Sequence, residues 1–119
     1  MQPDDRDAAY LWDMLEAARL IEEFTACVRF DQYARDRKLQ LAIECALEII
    51  GEGARCISDR FKDAHPQIPW RMIVAQRNVI AHEYGDIKQD RIWRVVAAHI
   101  PELKAQLQLV IPPPPAGGT

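Results

Sequence analysis

Glycine is scarce in this chain: five in 119 residues, two of them at Gly117 and Gly118. None follows Asn or Asp, so the tight-hairpin signals are absent and an all-β fold is disfavoured. Cysteine is as sparse. Cys27, Cys45 and Cys56 are odd in number and far apart, with no CxxC pair and no histidine at ligand spacing beside them, which speaks against a zinc site. Each stands in an apolar helical pattern, and the expectation is three buried, reduced thiols. No acidic cluster of metal-binding type is present, so neither a metal nor another cofactor is expected. No basic-then-apolar leader opens the chain, and no apolar run approaches the roughly 20 residues of a membrane span. The expected location is the cytoplasm, away from membranes.

What is there suits one globular domain: 49% apolar and 28% charged residues over a length that can bury a core unaided. The net charge of −3 argues mildly against a bulk nucleic-acid binder, but the charge is unevenly spread. Residues 1–23 hold seven acids against Arg6 and Arg19, whereas residues 71–119 hold six bases against four acids. The basic side chains therefore gather in the C-terminal part of the chain.

Apolar periodicity predicts helices throughout. Asp4 and Asp5 are N-cap candidates for a first helix with Leu11, Met14, Ala18, Ile21, Thr25 and Val28 on one face, ending near Arg29 or Phe30. Asp31 can cap the next segment. A second long helix is expected from about Lys38 to Ala64, with Leu39, Ile43, Leu47, Ile50, Ala54, Ile57 and Phe61 at helical spacing. Gly51 and Gly53 inside it each cost roughly 1 kcal/mol relative to alanine, which calls for close approach of another backbone, in the core or across a dimer seam. His65-Pro66-Gln67-Ile68-Pro69 is a break, and Pro69 suits the first turn of a third helix running to about His82. Tyr84-Gly85-Asp86 is a turn; Asp86 or Asp90 can cap a helix carrying Ile92, Trp93, Val95 and Val96, which Pro101 restarts. The expected fold is an all-α, up-and-down bundle of about five helices over residues 1–111, followed by a disordered Pro/Gly tail at 112–119.

One stretch carries chemistry: Arg77-Asn78-Val79-Ile80-Ala81-His82-Glu83-Tyr84. Asn78 and His82, four apart, share a helix face, while Arg77 lies about 140° from His82. An early helix end before Gly85 would gather all three. The set suits RNA cleavage by attack of a 2′-hydroxyl on the adjacent phosphate. Histidine supplies a proton carrier with a pKa near 7. Arginine supplies a fixed cation for the phosphate, and Asn78 can orient the imidazole or donate to a phosphate oxygen. By spacing alone, the same residues also describe an ordinary capped helix end with a dipole-favoured histidine.

The resemblance goes further. Arg77 to Tyr84 is similar to the Arg-x4-His-x-Tyr signature of HepT-like toxins in the HEPN superfamily. The Ile49-Ile50-Gly51-Glu52-Gly53-Ala54 stretch, the Ile68-Pro69-Trp70 entry, Asp86-Ile87 leading to Ile92-Trp93, and Met14-Leu15-x-Ala17-Ala18 are also of that type. Gly53 stands where relatives often have alanine. The likeness covers roughly residues 5–110 and implies a HEPN-type helical bundle that forms a homodimer with two motifs facing one cleft. It implies a metal-independent endoribonuclease acting on tRNA or mRNA, with Arg77 and His82 as catalytic pair and Asn78 as helper. It also implies a type VII toxin–antitoxin pairing with an MntA-like nucleotidyltransferase that uses ATP to transfer AMP to Tyr84. An anionic nucleotide two residues from His82 would block the cleft and repel RNA. The alternative is a non-catalytic HEPN module that binds and regulates the nucleotidyltransferase. Nucleotide binding without cleavage ranks last for want of a Gly-rich phosphate loop.

Other residues carry weaker signals. Arg71, Lys88, Arg91 and Arg94 border the motif and can hold RNA phosphates or serve as plain surface charge. Arg35, Arg37 and Lys38 form a second small basic cluster of the same kind. His65 and His99 read as helix-end residues beside prolines, Glu83 as a solvated charge, and Trp70 and Trp93 as core or interface aromatics.

Overall fold

A computed structural model describes residues 4–82 and 89–111, with only the backbone for 79–82. The described residues are helical apart from short connections. Seven α-helical segments are present: α1 Asp5–Thr25, α2 Phe30–Ala34, α3 Arg37–Cys56, α4 Asp59–Ala64, α5 Trp70–His82, α6 Gln89–Arg94 and α7 Ile100–Val110. A π-helical turn, Val95–His99, joins the last two. The expected bundle is there. Its long members are α1, α3, α5 and the continuous α6–α7 rod, while α2 and α4 are short corners. The expected tail, residues 112–119, lies outside the described residues.

The long helices form where the apolar spacing placed them. Asp4 caps α1, its carboxylate accepting from Asp7 N at 2.7 Å. The α1 face of Leu11, Met14, Leu15, Ala17, Ala18 and Ile21 is buried. It packs along α3, which also carries α5, so α3 is the central helix. Ile43, Leu47, Ile50 and Ala54 of α3 meet Ile73 of α5 and Ile92, Val96, Leu103 and Leu107 of the C-terminal rod in one core. Each such fully buried aliphatic side chain contributes about 1.5–3 kcal/mol.

Helix ends depart from the sequence expectation in four places. First, α1 stops at Thr25 rather than near Arg29, because Cys27 takes the left-handed conformation at φ 61°. Second, Asp31 lies inside the first turn of α2. The chain end there is tied by Gln32, whose Oε1 accepts from Arg29 N at 2.8 Å, and Asp36 caps α3 by accepting from Leu39 N at 3.0 Å. Third, the expected single helix to Ala64 breaks at Ile57. Ser58 caps α4 through Phe61 N at 3.2 Å, and buried Asp7 accepts from both Ser58 N (2.9 Å) and Ser58 Oγ (2.6 Å). Ile57 and Phe61 stay buried on the two sides of this break. Fourth, of the two cap candidates for α6, Asp90 falls in its first turn rather than before it, and Asp86 lies outside the described residues.

Pro101 lies in the first turn of α7, as expected, but the rod is not interrupted before it. A proline has no N–H for the carbonyl four residues back and its ring clashes with that carbonyl. The preceding segment widens to a π turn, with Ile100 N donating to Val95 O, and the rod continues.

The thiols overturn their expectation as well: Cys27 and Cys45 are exposed and Cys56 is half-buried. Leu41 and Ile49 are also exposed, so Leu41, Cys45 and Ile49 form an apolar stripe on the outer side of α3. By contrast, Tyr33 of short α2 is fully buried. It stacks on Trp93 with centroids 4.9 Å apart, and Trp70 is buried too. Among the described residues no helix is long and apolar enough to cross a membrane.

Asp7 is the test of the α1–α4 tie. Asp7→Ala leaves Ser58 N–H without its acceptor inside the protein and is expected to cost about 1–3 kcal/mol in urea unfolding. Exposed Asp13→Ala on the same helix should change stability by no more than about 0.5 kcal/mol.

Candidate active site

The motif lies on α5, and the placement of α5 is decided by a glycine on α3. A Cβ added to Gly51 would overlap the Cβ and Cγ of Arg77. Only glycine permits α5 to lie this close, and the residue it admits is the motif arginine. Gly53 plays the matching part on the other side of α3. A Cβ there would come within 2.6 Å of Met14 Cγ and 3.4 Å of Tyr10 O on α1. Both expected close approaches are therefore within the core of one chain.

Pressed on α3, the Arg77 side chain runs between two carboxylates. One Nη lies 3.7 Å from Glu52 Oε2 and 3.9 Å from Glu48 Oε1. The other donates to Asn78 Oδ1 at 3.3 Å. Nε is buried and finds no hydrogen-bond acceptor among the described residues. The guanidinium opens onto a basin of about 340 Å³ lined by Tyr10, Asp13, Cys45, Glu48, Ile49, Glu52 and Gly53. Glu52 is itself held by Arg55, which donates through Nε at 3.1 Å and through one Nη. That hydrogen bond, with the charges of Arg55 and Arg77, holds the Glu52 carboxyl below its ordinary range, so it is ionised at neutral pH.

Helix α5 stays helical through His82, so the expected early helix end does not occur before that residue. The structure brings Arg77 and Asn78 together, with Asn78 accepting from the guanidinium. The side chain of His82, and all of Glu83, Tyr84 and Lys88, lie outside the described residues. Asn78 is exposed, and Arg71 and Ala75 precede it on the same face at helical spacing. This line continues to the position of His82, about 16 Å along the helix axis from Arg71. Arg91 is exposed on α6; Arg94 beside it pairs with Asp90 at 3.9 Å.

One turn before Glu48, toward the start of α3, lies a second polar group. Tyr33 Oη donates to Gln89 Oε1, and Gln89 Nε2 donates to Glu44 Oε2 at 3.2 Å. Arg37 lies 3.6 Å from the same oxygen of Glu44. Burial, then the Glu44 charge, push the Tyr33 phenol well above its ordinary range, so it remains a donor. Gln89 is the first residue of α6. Arg77 of α5 and Gln89 of α6 are thus both tied to α3, the first by Glu48 and Glu52 and the second by Glu44. Of the remaining basic cluster, Arg35 pairs with Asp31 at 3.6 Å and Lys38 is exposed.

Sequence reasoning missed Glu44, Glu48 and Arg55, and saw Glu52 only as part of a matching stretch. The available signal was the four-residue spacing of Glu44, Glu48 and Glu52, which aligns three acids along one helix. No group of three or more metal-ligating side chains is found among the described residues.

Comparisons with known proteins agree with one another. The family described as Ribonuclease HepT-like matches residues 14–110. The probable ribonuclease HepT of Thermococcus cleftensis is 41% identical over 99 residues, covering 83% of this chain and 90% of that protein. A Methanocaldococcus jannaschii protein provisionally named as an RNase is 33% identical over 102 residues, covering 86% and 94%. No solved structure gives a significant match.

The two glycines should respond differently to alanine. Gly51→Ala drives a methyl into the Arg77 stem and is expected to destabilise by about 1–3 kcal/mol. Gly53→Ala forces buried Met14 to shift but gains about 1 kcal/mol of helix propensity, so it should destabilise less than Gly51→Ala. Thermal unfolding of both variants checks the contrast.

Proposed function

The chain belongs to the HepT-like ribonuclease family, and on that premise we propose that it is a metal-independent endoribonuclease acting through Arg77 and His82. The observation that carries this reading is the Arg77–Asn78 pair at the open basin, fixed on α3 by Gly51 and one helical turn before His82. In the proposed reaction His82 moves the proton of the attacking 2′-hydroxyl or of the leaving oxygen. Arg77 balances the charge that builds on the phosphate. Asn78 steadies the guanidinium, a role nearer to its observed hydrogen bond than orienting an imidazole. Arg71 offers a phosphate contact two to three nucleotides away along α5, with Ala75 leaving room for the strand. Arg91, Arg94 and Lys88 are further candidates for the same RNA, a tRNA or an mRNA.

The active form in this proposal is a homodimer. The exposed stripe of Leu41, Cys45 and Ile49 runs beside the basin that holds Arg77. A second copy covering it would bring two motifs to one cleft. The chain then serves as the toxin of a toxin–antitoxin pair. A nucleotidyltransferase partner silences it by moving AMP from ATP to the Tyr84 hydroxyl with release of pyrophosphate. The carboxylates on Arg77 favour one other reading, a non-catalytic module that binds and regulates such a partner, because they neutralise the cation that cleavage needs.

Purified, unmodified protein is expected to cut total RNA in EDTA, and Arg77→Ala or His82→Ala to lower the rate about a hundredfold or more. A well-folded dimer, unmodified at Tyr84 by mass, that leaves RNA intact would turn the reading to the non-catalytic module. Ile49→Glu is expected to yield monomer in sedimentation while keeping the helical circular-dichroism spectrum; an unchanged dimer would place the seam elsewhere.

A further inference from the structure

We propose that Glu48 and Glu52 form a carboxylate clamp that parks the Arg77 guanidinium against α3 in the RNA-free protein, with Glu52 as its positioning residue and Glu48 as the group an RNA phosphate displaces. The inference rests on the ribonuclease reading of Arg77 and adds a specific cost and control to its use of phosphate.

The clamp is asymmetric. Glu52 is anchored on its own helix by two hydrogen bonds from Arg55, three residues on, and is held in its charged form by them. It lies between Arg55 and Arg77, bonded to the first and 3.7 Å from the second. The side chain of Glu48 is half exposed, and among the described residues its ion-pair partner is Arg77 alone, at 3.9 Å. Both contacts to Arg77 exceed the roughly 2.7–2.9 Å of a charge-assisted hydrogen bond. The attraction is therefore loose, and the planar fork is only partly used.

Arg77 itself shows that this is a resting position. Among the described residues its buried Nε–H has no acceptor, and it is one donor of the edge that would grip a phosphate with two parallel bonds. A guanidinium that turns outward frees that donor for an anion. The turn is short, because Gly51 holds only the Cβ and Cγ end of the side chain. The local charge points the same way. Arg55 and Arg77 are balanced by Glu48 and Glu52, and Asp13 also lines the basin. A phosphate approaching Arg77 therefore meets a neutral or negative surface until one carboxylate gives way, and Glu48 is the one free to do so.

The experiment is equilibrium binding of a 2′-O-methyl oligoribonucleotide, which lacks the attacking hydroxyl, to the full chain by fluorescence anisotropy. Four proteins are compared: wild type, Glu48→Gln, Arg77→Ala and the double variant. Glu48→Gln is expected to tighten binding about two- to fivefold, the size of an exposed ion pair removed as a competitor. The gain should vanish in the Arg77→Ala background. On cleavable RNA the same substitution should lower KM and leave kcat unchanged. Glu52→Gln, which loosens both arginines, should lower kcat instead, with little loss of melting temperature. A Glu48→Gln gain that persists without Arg77 would be a general charge effect and would overturn the clamp, as would unchanged affinity. Arg77-dependent binding with the expected gain, in a protein that cuts no RNA, would sustain the clamp and defeat the ribonuclease reading. Absence of Arg77-dependent binding would defeat both.

Discussion

Where α5 crosses α3, the side chain that lies between them is the stem of Arg77, and the residue beneath it is Gly51. A close crossing of two helices is a constraint on both backbones at once, and much else follows from it. It sets the height of α5 on the central helix. It directs the guanidinium along α3 toward Glu48 and Glu52 rather than outward into solvent. It leaves Asn78, the next residue, on the exposed face with the line from Arg71. The helix-propensity cost of a mid-helix glycine, roughly 1 kcal/mol, is the local cost of that geometry. A larger residue would gain helix stability and lose the position of the arginine.

The two sides of α3 do different work. Toward α1 and the C-terminal rod it presents Ile43, Leu47, Ile50 and Ala54 to the core. Along another edge it carries Glu44, Glu48 and Glu52, one per turn, each meeting a cation or amide: Arg37 and Gln89, then Arg77, then Arg55 and Arg77. The helix is therefore both the main hydrophobic partner and the electrostatic rail for the flanks of the motif. A single element with both duties couples stability to site geometry, since a shift of α3 moves the core and the arginine together.

Much of the fold was legible in the sequence, and the failures have a common cause. Leu11, Met14, Ala18 and Ile21 gave α1 by spacing, and Asp4 its start, because these are local effects. The break at Ile57 was hidden because Ser58 is gripped by Asp7, 51 residues away, and because Ile57 and Phe61 remain in phase with the apolar pattern on either side of it. The thiols misled because α3 is apolar on more than one side, so Cys45 matched a helical pattern whose outer stripe is exposed. Tyr33 was passed over because a five-residue helix has too few residues to show a period. At the site, Arg77 and Asn78 were singled out by their resemblance to a family motif, because spacing alone also described an ordinary helix end. Their acidic partners were not read, since the four-residue spacing of Glu44, Glu48 and Glu52 aligns acids on one helix without saying which cation of another helix meets them.

The π turn at Val95–His99 has a consequence for chain length. A wider turn winds less per residue, so the rod from Gln89 to Val110 holds one residue more than a plain α-helix would need to join the same two faces. Ile92 and Val96 before the turn, and Leu103 and Leu107 after it, all reach the core, and the surplus residue sets the angle at which the second pair meets it. The segment is thus a length adjuster. Removing one residue there and replacing Pro101 by a residue with an N–H would convert the rod to unbroken α-helix and keep both faces buried. The same deletion anywhere else along the rod would rotate half of its apolar side chains into water.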